Sequence, residues 1–453
     1  MKLLLVVGLL STTIAGQWVK QTVNTTASFR GLSVVSEKVV WASGTGGTVI
    51  RTVDGGKAWD VITVPGAEKL DFRDIEAFDA SIAYILSIGN GADSRIYKTI
   101  DGGKTWKEQF RNANEKAFFD AVACWDKKNC IAMSDPVDGH YVLINTTDGE
   151  TWKPIVSNQL PAAKDGEAAF AASGTCLYIN PANGDLFLVS GGNDARVFKS
   201  TDRGKSWTFA TTPIVKGTAG SGIFSIAMAD KKNGVIVGGN YEKPDERNNT
   251  FAFTEDGGKS WLPGSRPSGY RSGTAYIDRQ VLIAVGSNGS DISFSRGTVW
   301  RKLSDDNLNA VAAKAAGSIW GVGPKGSVVR LDPKAIGTPV SAGSGNLPHV
   351  PGVTALELSH SLVSPKCAAD DRKCSENYVV LAKVTYISWD GPHELVYHPS
   401  GGTIVGDGAD VKWDLTGVNP GTYTLTVELI FPAGRSGWPG GGITQTNIVT
   451  IRE

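Results

Sequence analysis

The string KTIDGGKTWK at residues 98–107 recurs along the chain with small changes. Each copy has an aspartate, one or two glycines and, four or five residues after the aspartate, a tryptophan; the other copies are TVDGGKAW (52–59), TTDGETW (146–152), STDRGKSW (200–207) and TEDGGKSW (254–261). A motif repeated this often is more typical of a building element than of an active site.

The spacing of the copies predicts the architecture. Successive motif aspartates are 47 or 54 residues apart, and a period of about 50 is typical of the four-stranded blade of a β-propeller. Two weaker copies, FSRGTVW (294–300) and GSVVRLD (326–332), complete a series of seven units. We therefore expect an all-β chain, with a seven-bladed propeller over 17–335, a linker over 336–352 and a β-sandwich over 353–453.

The segments between the motifs have strand patterns. Each unit opens with a short string that we interpret as its innermost strand: FRGL (29–32), FRDI (72–75), FFDA (118–121), FAAS (170–173), IFSI (223–226), YRSG (270–273) and LNAV (308–311). Third strands such as TVIRT and RIYKT run directly into the motif, which then lies at the turn before the fourth strand. QWVKQT (17–22) resembles a fourth strand, so we expect it to complete the last unit and close the ring.

The motif residues are predicted to be structural. An aspartate can accept hydrogen bonds from backbone amides of its own turn, a following glycine can take positive φ, and a tryptophan can cover the space between strands. The oxygen ligands that calcium needs do not recur inside the motif. The predicted structural pairs are Asp54 and Trp59, Asp101 and Trp106, Asp148 and Trp152, Asp202 and Trp207, and Asp256 and Trp261.

This pattern, S/T-x-D-x-G-x-T/S-W, resembles the Asp-box, or bacterial neuraminidase repeat, of sialidases and many other propellers. The stretch 17–335 as a whole resembles the photosystem II stability/assembly factor family and its non-photosynthetic bacterial relatives. The resemblance implies a seven-bladed, non-enzymatic propeller that binds protein partners.

The N-terminus predicts export. Lys2 is followed by an apolar run and then by small residues near Ala15, so residues 1–16 are interpreted as a cleaved signal peptide, with no membrane span afterwards. We expect a secreted, periplasmic or cell-surface protein, and a monomer. With 45 basic and 45 acidic residues, the chain has no excess positive charge to attract nucleic acid.

The cysteines fit an oxidising compartment. Two disulfides are predicted, Cys124–Cys130 and Cys367–Cys374, because each pair flanks a short polar stretch. Cys176 is left over in a strand-like apolar run, where we expect a buried, inert thiol.

The C-terminal region has about 100 residues of short alternating strands, typical of an immunoglobulin-like sandwich. PGTYTLTV resembles the Pro-Gly-x-Tyr corner of polycystic-kidney-disease and fibronectin-type modules. Tyr423 is expected to tie a strand corner back to the backbone.

The unit openings hold the candidate site residues. They are Arg30, Arg73 and Arg271, with Asp74, Asp120, Glu167 and Tyr270 nearby. One hypothesis is a binding surface for a protein or polysaccharide at the channel mouth, formed by Arg30, Arg73, Asp120, Glu167 and Arg271. The alternative is a sialidase-like or other glycoside hydrolase in which the three arginines hold a carboxylate and Tyr270, Glu167 and Asp74 carry the chemistry.

Leu32 stands where the sialidase Phe-Arg-x-Pro signature has proline, which counts against the hydrolase. The five histidines show no metal-ligand spacing, so neither a metal nor a cofactor is predicted.

Overall fold

A computed structural model describes residues 18–155, 162–314, 317–331, 352–359, 362–363, 374–375, 378–387, 394–430 and 444–451. The predicted signal peptide, most of the predicted linker and Cys367 lie outside these residues. The chain divides into two compact units, the first made of Met1–Leu262 and Arg266–Pro339 and the second containing Val340–Glu453.

The first unit is built from antiparallel sheets. After Trp18–Lys20 (β1), three four-stranded sheets follow in chain order, each with its strands paired in sequence. They are Phe29–Val34 (β2), Val40–Gly44 (β3), Thr48–Thr52 (β4) and Asp60–Thr63 (β5); Asp71–Ala77 (β6), Ala83–Ile88 (β7), Arg95–Thr99 (β8) and Lys107–Arg111 (β9); and Phe119–Cys124 (β10), Cys130–Val137 (β11), His140–Thr146 (β12) and Lys153–Pro154 (β13). In the described part of the chain, the helical structure is one 3₁₀ turn at Gly91–Asp93.

The next stretch of the chain contributes strands to two sheets. Its strands are Glu167–Ala168 (β14), Leu177–Ile179 (β15), Leu186–Val189 (β16), Gly191–Gly192 (β17), Arg196–Ser200 (β18), Thr208–Thr211 (β19), Ser221–Met228 (β20), Gly234–Asn240 (β21), Phe251–Thr254 (β22) and Leu262–Pro263 (β23). One sheet has the order β15-β16-β18-β19, and the other has the order β14-β17-β20-β21-β22-β23.

The opening predicted at 170–173 is therefore wrong for this sheet, whose first strand begins at Leu177. The chain before Leu177 instead contributes β14 to the following sheet. β14 pairs with β17, and β17 joins β20 of that sheet through the Gly191–Gly222 pair. A Cβ on Gly191 would lie 2.2 Å from the Phe170 ring, so glycine is required where this backbone passes the ring.

Two more four-stranded sheets complete the first unit. One contains Gly273–Tyr276 (β24), Leu282–Gly286 (β25), Gly289–Ser293 (β26) and Arg301–Ser304 (β27), and the other contains Ala310–Ala313 (β28), Ile319–Val322 (β29), Val328–Leu331 (β30) and β1. Trp18 lies opposite Leu331 in the β1–β30 ladder. The sequence predicted this pairing of the first and last strands.

The second strand of each sheet supplies much of the core. β7, β21 and β25 are almost entirely buried, in keeping with their continuous apolar sequences. The third strands β4 and β8 have the predicted bounds, and both run into aspartate turns.

The aspartate turns are held by local hydrogen bonds. Asp101 Oδ1 accepts from the Thr105 amide at 2.9 Å and from the Thr99 hydroxyl at 2.9 Å, and the Thr99 hydroxyl in turn accepts from the Gly103 amide at 2.9 Å. The turns at Asp54, Asp148, Asp202 and Asp256 have corresponding bonds. The following tryptophans are wholly or partly buried, and Trp59 packs edge-to-face on Trp320 at 5.5 Å.

In its described residues, the second unit contains two sheets. Its strands are Gly352–Leu358 (β31), Leu362–Val363 (β32), Cys374–Ser375 (β33), Val379–Ile387 (β34), Glu394–Pro399 (β35), Thr403–Val405 (β36), Asp410–Asp414 (β37), Gly421–Ile430 (β38) and Thr444–Ile451 (β39). The sheet orders are β31-β34-β37-β36 and β33-β32-β39-β38-β35, around a core that includes Trp413 and Leu425. Tyr423 Oη donates to the Asn419 carbonyl at 2.8 Å, which confirms the predicted tie.

The cysteine predictions are confirmed where the structure describes them. Cys124 and Cys130 form a disulfide between β10 and β11, and Cys176 is buried and unpaired. Within the described ranges there is no helix long and apolar enough to cross a membrane.

Candidate functional site

Residues from widely separated parts of the first unit line a cavity of about 460 Å³. One part of its wall is charged and is formed by Arg30, Arg73, Asp120 and Asp135. Another part is aromatic and is formed by Phe118, Phe170, Phe224, Tyr241 and Tyr270. A volume of this size is typical of ligand pockets.

A repeated backbone feature builds much of this wall. The ladders β2–β3, β6–β7, β10–β11 and β20–β21 each have a register shift at one residue of the first strand. The residues at the four shifts are Arg30, Arg73, Asp120 and Phe224, and all four line the cavity. A bulge leaves one residue outside the regular alternation and redirects its side chain. The sheets therefore present one bulged side chain each to the same cavity.

Arg30 and Arg73 donate hydrogen bonds to the carbonyl groups of two consecutive residues. Arg30 Nη1 donates to the Ala172 carbonyl at 3.1 Å, and Arg73 Nη1 donates to the Ala171 carbonyl at 3.4 Å. Arg73 Nε also donates to the Asp71 carboxylate at 2.8 Å, whereas Arg30 has no ion pair with any residue that the structure describes. Burial, followed by the positive charge of Arg73, lowers the pKa of Arg30. An anionic group at Arg30 would relieve this unbalanced charge.

The acidic wall contains two carboxyl groups. Asp120 is 1% exposed, and its Oδ2 has no hydrogen-bond partner among the described residues. Burial raises the pKa of Asp120 well above its usual range, and the charge of Asp135 raises it further. Asp135 Oδ1 accepts from the Ala169 amide at 2.7 Å, and burial raises the pKa of Asp135 to about 6.

The aromatic wall is ordered by ring contacts. Phe170 stacks on Phe224 with ring centres 3.9 Å apart and planes 7° from parallel. Tyr270 meets Phe224 edge-to-face at 4.8 Å, and Tyr241 meets it from another side at 6.3 Å. Tyr241 is 49% exposed, so part of this apolar surface is available for contact.

Two predicted site residues lie in buried ion pairs instead. Arg271 is fully buried, and its guanidinium bonds the Asp291 carboxylate and the Asn288 side chain. It precedes β24 and has no bulge to redirect it. Glu167 accepts from Arg196 Nε at 2.9 Å and pairs with the same guanidinium a second time. Neither side chain lines the cavity, so the structure does not bring the three predicted arginines together.

Asp74 also lies outside the cavity lining. Its carboxyl oxygens accept from the Ile75 and Val122 amides, each at 2.8 Å. Burial outweighs these bonds and raises the pKa of Asp74 to about 7. Of the predicted site residues, Arg30, Arg73, Asp120 and Tyr270 line one cavity, and Asp74, Glu167 and Arg271 do not.

The sequence reasoning missed Asp135, Phe170, Phe224 and Tyr241. The opening strings contained two of them, because Phe170 begins FAAS, and Phe224 follows Ile223 in IFSI as Arg30 follows Phe29 in FRGL. No comparable signal marked Asp135, which lies on the second strand of its sheet. Among the described residues, no group of three or more His, Cys, Asp or Glu side chains could hold a metal ion.

Comparison with known proteins identifies the fold. No protein-family model matches the chain, and no curated protein sequence matches it. A solved structure of YCF48 bound to D1 peptide matches with a TM-score of 0.52 and 16% identity, over 69% of this chain and 96% of that one. YCF48 from Cyanidioschyzon merolae matches with a TM-score of 0.49 and 16% identity, over 70% of this chain and 99% of that one.

A third similar structure is the extracellular domain of a putative hybrid two-component system from B. thetaiotaomicron. It has a TM-score of 0.46 and 10% identity, over 96% of this chain and 57% of that one. The likeness to the first YCF48 structure supports a propeller fold for the first unit, and at this identity it is a likeness of fold alone.

Proposed function

We propose that this chain is an exported, non-enzymatic binding protein whose first unit is a seven-bladed propeller that captures a segment of a protein partner in its central cavity. The observation that carries the proposal is the set of four equivalent bulges, which direct Arg30, Arg73, Asp120 and Phe224 to one place. A repeated backbone device that converges on a pocket is better explained by recognition than by packing.

The domain plan that we propose is the one expected from the sequence. A signal peptide over 1–16 precedes the propeller over 17–335, in which the aspartate turns act as Asp-box staples. A linker over 336–352 leads to an immunoglobulin-like or polycystic-kidney-disease-like sandwich over 353–453. The Cys124–Cys130 disulfide supports export to an oxidising compartment, and the β1–β30 pairing supports closure of the ring.

A protein segment suits the cavity better than a polysaccharide. The wall combines a cationic region at Arg30, an acidic region at Asp120 and an aromatic region at Phe224. A peptide can supply groups of all three complementary types within a few residues, whereas a neutral polysaccharide supplies neither charge. The YCF48 structure that shares this fold contains a D1 peptide, which agrees with the peptide class.

The glycoside hydrolase remains the alternative from the enzyme class. It needs a free arginine cluster and a carboxyl group placed to act on substrate. The buried pairs Arg271–Asp291 and Glu167–Arg196 count against the residues first considered for it. Asp120 and Asp135 line the cavity and have pKa values raised by burial, which suits an acid catalyst, so the hydrolase is worth a direct test.

The experiment is a peptide-library selection on the full mature chain, followed by calorimetric measurement of Kd. We expect selected peptides to bind Phe224→Ala at least tenfold more weakly than the wild type. They should bind Phe209→Ala as tightly as the wild type, because Phe209 lies on β19 and does not line the cavity. Peptides that bind Phe224→Ala as tightly as the wild type would place recognition elsewhere. Turnover of a fluorogenic glycoside that is lost in Asp120→Asn would favour the hydrolase.

A further inference from the structure

The Oδ2 atom of Asp120 is a buried acceptor without a donor. Asp120 occupies the bulge of β10, lines the cavity and is 1% exposed, and no described residue donates to this oxygen. An acceptor left unbonded in a buried site costs free energy unless something else satisfies it. Asp120 lines the cavity, so a donor bound there would lie against this side chain.

A second carboxyl group lies on the same wall. Asp135 comes from β11, the strand paired with β10, and one of its oxygens already accepts from the Ala169 amide. Phe119 lies opposite Ser134 in the β10–β11 ladder, so Asp120 and Asp135 flank this pair on neighbouring strands, where the two groups repel each other when both are ionised. Two neighbouring carboxyl groups can both ionise only when a cation neutralises them, and without one the pair keeps a proton.

Other charged and titratable groups near this pair do not supply that cation. Arg73 attracts Asp120 but is already bound to Asp71 through its Nε. The buried Cys176 thiol interacts with Asp74, Asp120 and Asp135, and the Tyr141 phenol interacts with Asp135 and Glu167, but neither carries positive charge. Arg196 is committed to Glu167. No described residue that acts on the pair offers it an uncommitted cation, so a cation that allows both groups to ionise has to come from a ligand.

We propose that Asp120 and Asp135 form a subsite for the ammonium or guanidinium group of a basic side chain on the bound partner segment. The inference rests on the proposed function and adds the chemical class of the recognised residue. The cation would donate to Asp120 Oδ2 and lie between the two carboxyl groups. Phe118 also lines the cavity, and its aromatic ring would favour a cation further.

A metal ion fits this subsite less well than an organic cation. Metal ions of the calcium class take six or more oxygen ligands, and among the described residues no group of three or more His, Cys, Asp or Glu side chains could hold a metal ion. An ammonium or guanidinium group needs only one or two acceptors, which the pair supplies.

Occupancy of the subsite should be linked to protons. Burial favours the neutral form of both carboxyl groups in the empty cavity, and the pKa of Asp135 is about 6. A bound cation favours the ionised form, so binding releases a proton wherever the empty pair still holds one. Affinity for a basic ligand should therefore rise with pH by up to tenfold per unit and level off once the pair is ionised.

The first experiment uses the peptides selected on the wild-type chain and replaces each lysine by norleucine or each arginine by citrulline. On the wild type, we expect the neutral analogue to bind at least tenfold more weakly than the parent peptide. On Asp120→Asn, the two peptides should have Kd values within twofold of each other. Arg30→Gln should weaken binding of both peptides but leave the ratio of their Kd values unchanged. Glu150→Gln, a carboxylate on the turn before β13, should also keep it.

The second experiment needs no peptide. n-Butylammonium and n-butylguanidinium chloride are titrated against the full chain at pH 8 and constant ionic strength, with the thermal midpoint as the readout. We expect at least one of the two cations to raise the thermal midpoint of the wild type in a saturable way. The more effective cation identifies a lysine-like or an arginine-like preference. The rise should disappear in Asp120→Asn and shrink in Asp135→Asn, while both variants retain a cooperative transition.

The outcomes separate the two proposals. Peptides that need Phe224 but bind equally well without their basic residue would overturn the cation subsite and leave the proposed function standing. Saturable cation binding without any Phe224-dependent peptide would overturn the proposed function and leave the subsite standing. No saturable effect of either cation, an effect that persists in Asp120→Asn, or saturable stabilisation by CaCl₂ that is lost in that variant would overturn the inference.

Discussion

Arg271 and Asp291 form an ion pair with almost no exposed surface, since their side chains are 0% and 1% exposed. Arg271 Nε donates to Asp291 Oδ2 at 2.7 Å, and the Ser268 hydroxyl and amide donate to the same oxygen. The pair joins the segment before β24 to β26 inside one sheet. Its role in the structure is therefore packing and charge satisfaction, although the sequence first suggested ligand binding.

We expect Arg271→Met to destabilise the first unit by about 3–5 kcal/mol, because it leaves the Asp291 carboxylate buried without its cation. Urea unfolding followed by tryptophan fluorescence measures the change. Lys116→Met is the control, since it breaks an exposed pair with Asp138 and should cost no more than about 1 kcal/mol. The double variant Arg271→Met/Asp291→Leu should recover most of the loss. A cost below about 1 kcal/mol for Arg271→Met would contradict this view of the pair.

Asp101→Ala should lower the thermal midpoint by a few degrees without changing ligand affinity. The substitution removes the acceptor for the Thr105 amide and hydroxyl and for the Thr99 hydroxyl. Differential scanning calorimetry gives the midpoint, and the peptide assay gives the affinity. Loss of affinity with an unchanged midpoint would show that the turn takes part in recognition.

The same aspartate should contribute to acid unfolding. Hydrogen bonds from the Thr105 side chain and amide lower the pKa of Asp101 to about 2 in the folded chain. Its stabilising effect is complete above its ordinary pKa near 4 and is lost as pH falls toward 2. Wild type and Asp101→Ala should therefore converge in thermal midpoint between these pH values. Equal differences at pH 6 and pH 2 would contradict the assignment.

Asp74 should act in the opposite direction and in a different pH range. Burial raises its folded pKa to about 7, so the folded state holds a proton that the unfolded state has released above pH 4. Stability attributable to this group is complete at low pH and is lost as pH rises from about 4 to 7, with a slope of up to about 1.4 kcal/mol per pH unit.

Asp74→Asn should flatten this pH dependence, because the asparagine carries no proton to lose. Urea unfolding at half-unit steps between pH 4.5 and 7.5 measures the slope in both proteins. Asp138→Asn is the matched control, since Asp138 is exposed and its replacement should leave the slope unchanged. An unchanged slope in Asp74→Asn would show that Asp74 is ionised throughout this range.

The disulfide should stabilise the third sheet by a modest amount. Cys124 and Cys130 are six positions apart, and closing so short a loop contributes about 2 kcal/mol on the chain-entropy account. The Cys124→Ser/Cys130→Ser variant should unfold at correspondingly lower urea concentration, and dithiothreitol should have no further effect on it. Equal midpoints for the variant and the oxidised wild type would contradict this estimate.

Features that depend on local sequence could be predicted well. The bounds of β4 and β8, the hydrogen bonds of the aspartate turns and the Cys124–Cys130 disulfide each depend on residues within a few positions of one another. The β1–β30 pairing is the exception, since it joins distant residues. It was predictable because a repeat with a missing strand at each end has one way to complete itself.

The composition of the cavity was only partly predictable. Arg30, Arg73 and Asp120 were identified because their opening strings share a form, but Arg271 has a similar string and a different environment. Arg30 and Arg73 reach the cavity because the first strand of their sheets has a register shift of one residue. A four-residue string does not predict such a shift. Asp135 enters the cavity from a position without a repeated pattern, and Phe170 enters it from an opening string that forms no strand.

The amino-acid sequence alone determined the all-β class, the repeated unit and the turns that end its third strands, because those features follow from strand patterning and from hydrogen bonds between near neighbours. Only the tertiary structure decided which charged side chains are paired in the core and which face the cavity. The contact of Arg30 with the Ala172 carbonyl spans 142 positions of the chain. Contacts of that range depend on how the sheets are arranged in space, which short-range sequence patterns do not encode.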